Sequence, residues 1–450
     1  MKSINVKNTY DIKITGKPAD TLDVVENIDE VAVLPSSIPF IKPKLVVKEG
    51  ETVQIGSPMF FDKQDPRIQF LSPGAGRIKS IVYGPRRSLK RVIIALDKNE
   101  SAVSFDRVSD QKLVDMSREE LVNRLLAGGV WPVLQSLPFN TIANPDETPP
   151  SIYLSIDNDE PYLPNSEVFL KRSEDQDALR FGVKVLQKLS GGEVHVGIAA
   201  KNHALLTILR DVITHQLHGQ YPANHPGVFL YHNKKSSQEN KSWTIRSQEL
   251  LMIARLLRQG AYPIDRIVTV AGPLAKKPRH LATRQGAPLS VLAGDVSGQP
   301  PIRYIGGGVM TGRLASQDSF LGFQEMGLHL IEEGKTPELL YFVRPGADKP
   351  SISKTFLSAL FKQKKFDMNS SLNGGERSCI SCGACPSVCP VDLLPQLVMK
   401  SVLAKDIEES IELGILDCVD CGLCTYVCPS KINLDDIITK GKAVLKKEAG

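Results

Sequence analysis

Cys379, Cys382, Cys385 and Cys389 follow the spacing C-x2-C-x2-C-x3-C with Pro390 directly behind, and no other stretch constrains the chain as much. The spacing returns as Cys418, Cys421, Cys424 and Cys428, each 39 residues after its counterpart and again closed by a proline, Pro429. These eight are all the cysteines in 450 residues. Two such runs ending in Cys-Pro are the pattern of paired cubane iron–sulfur clusters, each held by four thiolates. Three cysteines on one tight loop can meet three corners of a cube, while the fourth, beyond a turn, points elsewhere and serves the neighbouring cluster. The expected sets are therefore Cys379, Cys382, Cys385 and Cys428 for one cluster, and Cys418, Cys421, Cys424 and Cys389 for the other.

Two other readings stand beside this one. Structural zinc takes one C-x2-C pair from each of two knuckles and gains nothing from a third cysteine and a C-x3-C-P ending. Disulfides fit less well, because cysteines this dense in a long chain without a signal segment suggest a reducing compartment. Gly383 and Gly422, each following the second cysteine of its run, allow the backbone close to a bulky group. Two clusters sharing exchanged ligands imply electron transfer, since one metal would suffice as a staple.

A chain of this length reads as about three domains, and 42% hydrophobic residues fill several cores. Charge is nearly balanced, 55 basic against 50 acidic residues, so no nucleic-acid footprint is demanded. Residues 1–20 lack an apolar signal core, and no apolar run reaches the length of a membrane span. A soluble or peripheral protein of the cytoplasm is expected, with no transmembrane segment of its own.

The expected fold is multidomain α/β. Residues 1–100 read as a β-rich domain: Lys44–Pro58 alternates valine and isoleucine with turn glycines, and Phe70–Lys79 returns. Together they resemble the barrel of biotinyl and lipoyl carrier domains, with Lys63 near the place of the modified lysine. The usual surround of that lysine is missing, so a structural barrel is expected. Residues 101–262 alternate helix and strand, as in a Rossmann-like parallel sheet. Ser117–Glu120 forms a capping box; Ser151–Ile156 and Val194–Ile198 read as strands; Asp177–Leu189 and His203–His215 read as helices. The G-x-G-x-x-G fingerprint is absent, and Gly306–Gly312 has one residue too many between its last glycines. That segment reads as a turn in a small β-grasp-like domain, 263–345, with Arg313 a candidate for an anion or an ion pair. His215, His218, His225 and His232 lack the helical pairing of a metal site.

The chain resembles the A subunits of the sodium-translocating NADH:quinone oxidoreductases. The likeness is carried by Ala271–Arg279, Gln285–Ala287, Gly308–Ala315, Phe320–Gly322, Phe361–Phe366, Gly128–Trp131 with Leu137–Phe139, and Gly219–Ala223 with Pro226-Gly227. The resemblance implies a peripheral cytoplasmic subunit, at the inner membrane, of a complex that passes electrons from NADH to quinone and exports sodium. It also implies membrane-subunit partners and an association with quinone. The better-known A subunits carry no clusters, so the C-terminal end instead resembles the C subunit of the related Rnf complex, which keeps two 4Fe-4S clusters. That protein resembles the flavin- and NADH-binding subunit of respiratory complex I, with its glycine-rich loop. Here the equivalent stretch, Ala127–Val133, lacks the repeated glycines that cradle phosphate, which leaves FMN and NADH unsupported. The alternatives are an Rnf-type C subunit fed directly by NADH, and a non-catalytic assembly scaffold.

Residues 346–450 read as a helical two-cluster module. Pro395 suits a first helical position with Leu397, Val398 and Val402 inward; Ile407 and Ile411 share a face, and Gly414 fits the stop. Asn433 caps a last helix with Leu434, Ile437, Ile438, Val444 and Leu445 on one side. Ile352, Phe356, Leu357, Leu360 and Phe361, followed by Lys362, Lys364 and Lys365, are candidates for a membrane-facing stripe or for core. Trp131 and Phe139 are candidates for contact with a quinone ring or, again, for core.

Overall fold

The structure, a computed structural model, describes residues 1–158, 160–296, 301–334, 343, 345–347, 350, 356–361, 365–372 and 375–449. A seven-stranded sheet runs in the order Lys2–Asn5, His215–His218, Val194–Ala199, Ile152–Ser155, Trp243–Arg246, Gln135–Ser136, Thr141–Ile142. Its first five strands are parallel and the last two antiparallel. Every residue of Ile152–Ser155 is buried, as expected of a strand covered on both faces. Helices Ser173–Leu189 and Ser247–Gln259 pack together at Gly182, where an added Cβ would lie 2.6 Å from Leu250 Cγ. The chain order reverses between Ile152–Ser155 and Trp243–Arg246, which makes their carboxyl ends the switch point of the sheet.

The helix expected over His203–His215 stops at Ile208, and His215 opens a strand. Val212, Ile213 and Thr214 are a β-branched run, and Thr214 already pairs with Val196 through both backbone and hydroxyl.

The barrel consists of a four-stranded sheet, Glu30–Val33, Leu89–Leu96, Gly76–Tyr83 and Thr52–Val53, and a three-stranded one, Pro43–Leu45, Pro58–Asp62 and Asp65–Leu71. Phe60 stacks on Phe70, its partner on the neighbouring strand of the three-stranded sheet, with centroids 4.5 Å apart. The residues before Glu30 pair elsewhere. Lys2–Asn5 edges the seven-stranded sheet, and Ala19–Val24 lies parallel to Arg279–Arg284 in a six-stranded sheet of the following domain. That sheet also contains Asp265–Ala271, Ile302–Gly306, Arg313–Ala315 and Gly327–Glu332. The N-terminal segment therefore ties three domains together.

The C-terminal module is helical: Pro395–Ala404, Ile407–Glu412 and Leu434–Ala449, joined by short turns. Val398, Ile415, Ile438 and Leu445 form its core. Leu397, expected inward, is 37% exposed, and Ile411 and Val444, expected on the apolar faces of their helices, are each 47% exposed. The helices roll so that Val398, Met399 and Ser401 face inward on the first of them.

Candidate metal centre

The two cysteine runs fold as copies of one another. Ser381 and Gly383 have φ of 52° and 74°, and their counterparts Asp420 and Gly422 have 55° and 72°. Asp392 and Lys431, each two residues past a Cys-Pro proline, match at 52° and 59°. Positive φ is costly for serine, aspartate and lysine, so its recurrence at equivalent places marks a backbone path imposed twice. Helices Pro395–Ala404 and Leu434–Ala449 also begin at equivalent positions and pack on each other.

Cys379, Cys382 and Cys385 of the first run share one cavity with Cys428 of the second. Gln396, Ile432 and Leu434 are among the rest of the lining. Cys382 is exposed, Cys385 buried, and Cys379 and Cys428 are half-buried. No three His, Cys, Asp or Glu side chains among the described residues converge tightly enough for one metal ion. Four thiols spread around a common cavity suit a larger polynuclear core better than a zinc ion, whose sulfur ligands must close to about 2.3 Å.

Cys389, Cys418 and Cys421 gather around Val391, Leu393 and Val419, with Cys424 in the adjoining apolar cluster. Burial pushes these thiols up: Cys418 and Cys421 well above their ordinary range, Cys424 to about 12, and Cys389 likewise upward. Cys424 and Cys389 add to the rise at Cys421, and Cys421 to that at Cys418. In the first set, burial carries Cys385 to about 11, reinforced by Cys382 and Cys428. Thiols that burial keeps protonated become thiolates when a cation is beside them, which is the condition iron supplies. The Leu393 amide donates to Cys389 Sγ at 3.3 Å, and Cys385 Sγ donates to Gln396 Oε1 at 3.2 Å. The donor set fits two cubane clusters.

The scaffold grips the module at the cysteine loops. Tyr221 donates its hydroxyl to the Cys421 carbonyl at 2.6 Å, and His232 Nε2 lies 2.8 Å from the Pro390 carbonyl. Lys234 Nζ pairs with Asp417 at 2.5 Å. The glycine-rich turn Gly306–Gly312 does hold an anion, but the chain's own. Glu160 accepts from the amides of Met310, at 2.7 Å, and Thr311, at 3.4 Å, and from the Thr311 hydroxyl. Any Cβ on Gly308 would lie 2.0 Å from that carboxylate. The Met310 carbonyl in turn faces Gly422, where an added Cβ would come within 3.3 Å.

A second cavity lies at the switch point of the sheet and ends at the second run. Gln135, Asn140, Thr244, Arg246, Glu249 and Cys421 are among its lining, and it holds about 1070 Å³ with its mouth. Glu249 is buried, and its Oε2 has no hydrogen-bond partner. A parallel sheet of this kind carries a ligand crevice at its switch point; which residues line it has no local signal in the sequence, because its walls come from segments far apart in the chain.

Trp131 is fully buried, donates its indole N–H to the Ala143 carbonyl at 2.7 Å, and meets Trp243 edge-on. It has no open face for a quinone ring. Phe139 is half-buried against the Val398 and Ile415 core of the C-terminal module, so it joins two domains. Gly129, in the stretch expected to lack a phosphate cradle, has φ of 64° and sits against barrel Leu71, 2.4 Å from a built Cβ. Arg313 pairs with Glu325 at 2.8 Å. His215 bonds Thr214 and Asn233, and His225 Nδ1 caps its own helix through Gly227. Lys63 is exposed at the tip of the hairpin Pro58–Asp62/Asp65–Leu71. Of the apolar stripe, Leu357, Leu360 and Phe361 are 43%, 79% and 56% exposed; Ile352, Lys362 and Lys364 lie outside the described residues.

Fold and site together define a multidomain α/β protein with an iron–sulfur dicluster module at its C-terminal end. Comparison narrows this. Residues 378–432 match the 4Fe-4S dicluster domain, residues 4–97 the NqrA N-terminal barrel-sandwich hybrid domain, 116–262 the NqrA second alpha/beta domain, and 267–317 the NQRA C-terminal domain. The A subunit of the Na(+)-translocating NADH-quinone reductase of Yersinia pestis bv. Antiqua (strain Angola) is 32% identical over 408 residues, covering 90% of this chain and 91% of its own. That of Neisseria meningitidis serogroup C is 31% identical over the same shares. The chain belongs to the family of Na(+)-translocating NADH-quinone reductase A subunits. Among solved structures, an NAD+-reducing [NiFe]-hydrogenase in the air-oxidized state aligns over 52% of each chain at 12% identity with a TM-score of 0.33, too distant a likeness to carry an argument.

Proposed function

We propose that this chain is the peripheral electron-transfer subunit of a membrane-bound, ion-translocating NADH:quinone oxidoreductase. In this reading Cys379, Cys382, Cys385 and Cys428 hold one 4Fe-4S cluster, and Cys418, Cys421, Cys424 and Cys389 hold the other. The observation that carries it is the single cavity shared by three thiols of the first run and one of the second. When bound, each cubane supplies a one-electron carrier. The chain's own residues do the rest. Two left-handed turns per run aim the thiols, and the Leu393 amide offers a hydrogen bond to sulfur. Tyr221 and His232 fix the loops to the α/β domain.

The family names its relatives as parts of a sodium-translocating reductase, and this supports membrane subunits as partners at the cytoplasmic face of the inner membrane. No helix among the described residues is long and apolar enough to cross a membrane. Quinone belongs to the reading as acceptor of the complex's electrons.

The test is anaerobic reconstitution of the full chain with iron and sulfide. The expected result is broad visible absorbance that dithionite bleaches, with iron and acid-labile sulfide in the ratio two cubanes require. A colourless, iron-free product would end the reading and leave an assembly scaffold; clusters that no reductant reduces would do the same.

A further inference from the structure

We infer that the two clusters differ in reduction potential, the one held by Cys418, Cys421, Cys424 and Cys389 being the lower, with Asp420 and Lys442 acting as its potential-setting pair. The inference rests on the cluster-holding reading above. It comes from the places where the 39-residue repeat is broken.

Backbone and thiols repeat, but the charged surroundings do not. Ser381 of the first half corresponds to Asp420 of the second, Gln396 to Asp435, and Leu403 to Lys442. Leu403 is 62% exposed on the surface, whereas Lys442 is 3% exposed. Lys442 Nζ lies 2.6 Å from Asp420 Oδ2 and donates to the Cys418 carbonyl at 2.8 Å. The other oxygen of Asp420 is 3.6 Å from Cys418 Sγ, Thr439 donates to it at 3.4 Å, and Asn140 donates to Oδ2 at 3.4 Å. At the first set the corresponding contact is the neutral amide of Gln396 on Cys385. The second half thus places two carboxylates and one ammonium where the first has only neutral groups.

Net negative charge makes an added electron harder to accommodate, and so does exclusion of water, because the reduced cluster is the more highly charged form. The two effects act in the same direction. Cys382 is exposed, and Ile380 beside it is 68% exposed, while no member of the second set is exposed.

Position gives the difference a use. The second set adjoins the switch-point cavity through Cys421, and the first opens to solvent at Cys382. Single electrons therefore pass outward, from a reduced small organic carrier in the cavity to a protein-bound one-electron acceptor docked at the Cys382 face. The carrier is oxidised, the acceptor is reduced, and the transfer itself makes or breaks no bond. The cavity is the donor's place.

The experiment is a redox titration followed by EPR on the reconstituted full chain, in wild type, Asp420→Asn and Lys442→Gln. Two one-electron components are expected. Asp420→Asn moves the lower one up, Lys442→Gln moves it further down, and the upper one stays. Asparagine tolerates the left-handed backbone at 420, so that variant keeps the test open if burying glutamine at 442 disturbs folding. The inference is overturned if the upper component responds, if both move together, or if neither moves. A chain that takes up no iron would refute the cluster reading instead.

Discussion

Val402 and Gly441 occupy equivalent positions of the two halves and meet where their helices cross. A Cβ on Gly441 would lie 2.7 Å from Val402 Cγ2 and 3.1 Å from Ile415 Cδ1. Valine is stiff at χ1 and cannot swing aside. Gly441→Ala gains about 1 kcal/mol of helix propensity but overpacks the crossing at a cost of about 1–3 kcal/mol. The expected net effect is a loss of up to about 2 kcal/mol, with Gly441→Val worse. Adding Val402→Ala to Gly441→Ala should recover part of the loss. Denaturant titration of the four corners of this cycle checks it; strictly additive effects would mean that the two residues do not press on each other.

Glu160 seats its carboxylate in the turn that reaches the second cysteine run, so its removal orphans two amides and a hydroxyl. Glu160→Ala is expected to cost about 2–4 kcal/mol, in the range for buried donors left without a charged acceptor. The looser turn should also let a chelator strip iron faster from the reconstituted protein. A melting curve and a chelation time course measure the two effects separately. Unchanged values for both would reduce Glu160 to an ornament of the turn.

The metal centre was more legible in sequence than the scaffold around it, for a physical reason. Ligand spacing is local: three thiols within seven residues and a fourth beyond a proline constrain one another whatever surrounds them. Strand Lys2–Asn5 pairs with His215–His218, a contact no local pattern encodes. The same holds for Glu160, whose partners are 150 residues away; the glycines at 306–312 read as a turn, with nothing to show that it holds a carboxylate. Periodicity placed the last helices correctly yet put Leu397 and Val444 on the wrong side, because apolar residues there outnumber the inward positions. Trp131, beside Gly129 and Pro132, suits either a ligand face or a core in the sequence, and its full burial makes it the centre of a core.

His329 gives the fold a pH dependence. It is fully buried, with Nδ1 3.1 Å from the Gly307 carbonyl and Nε2 3.1 Å from the Pro161 carbonyl, and burial pushes it down to about 4 from the ordinary 6.5. Between those values the unfolded chain binds a proton that the folded chain refuses, so stability falls as pH drops from about 6.5 towards 4. The full shift corresponds to about 3 kcal/mol. His215, also pushed down to about 4 by burial, acts in the same window and the same direction. Melting temperature across this range should decline in wild type and decline less in His329→Asn, whose side chain takes up no proton.

The exchange of cysteines between runs is testable by pairs. If Cys428 completes the set of Cys379, Cys382 and Cys385, then Cys379→Ala and Cys428→Ala each remove the same cluster, and the double variant loses no more iron than either single. Cys379→Ala with Cys389→Ala strikes both sets and should leave the reconstituted chain nearly iron-free. Local pairing predicts the reverse, since Cys379 and Cys389 would then share one cluster and Cys379 and Cys428 would not. Iron per chain in these two doubles, with folding checked by circular dichroism, separates the alternatives. The outcome matters beyond ligand assignment, because exchanged ligands tie the two cysteine loops to each other, so that losing either cluster loosens the loops around the other.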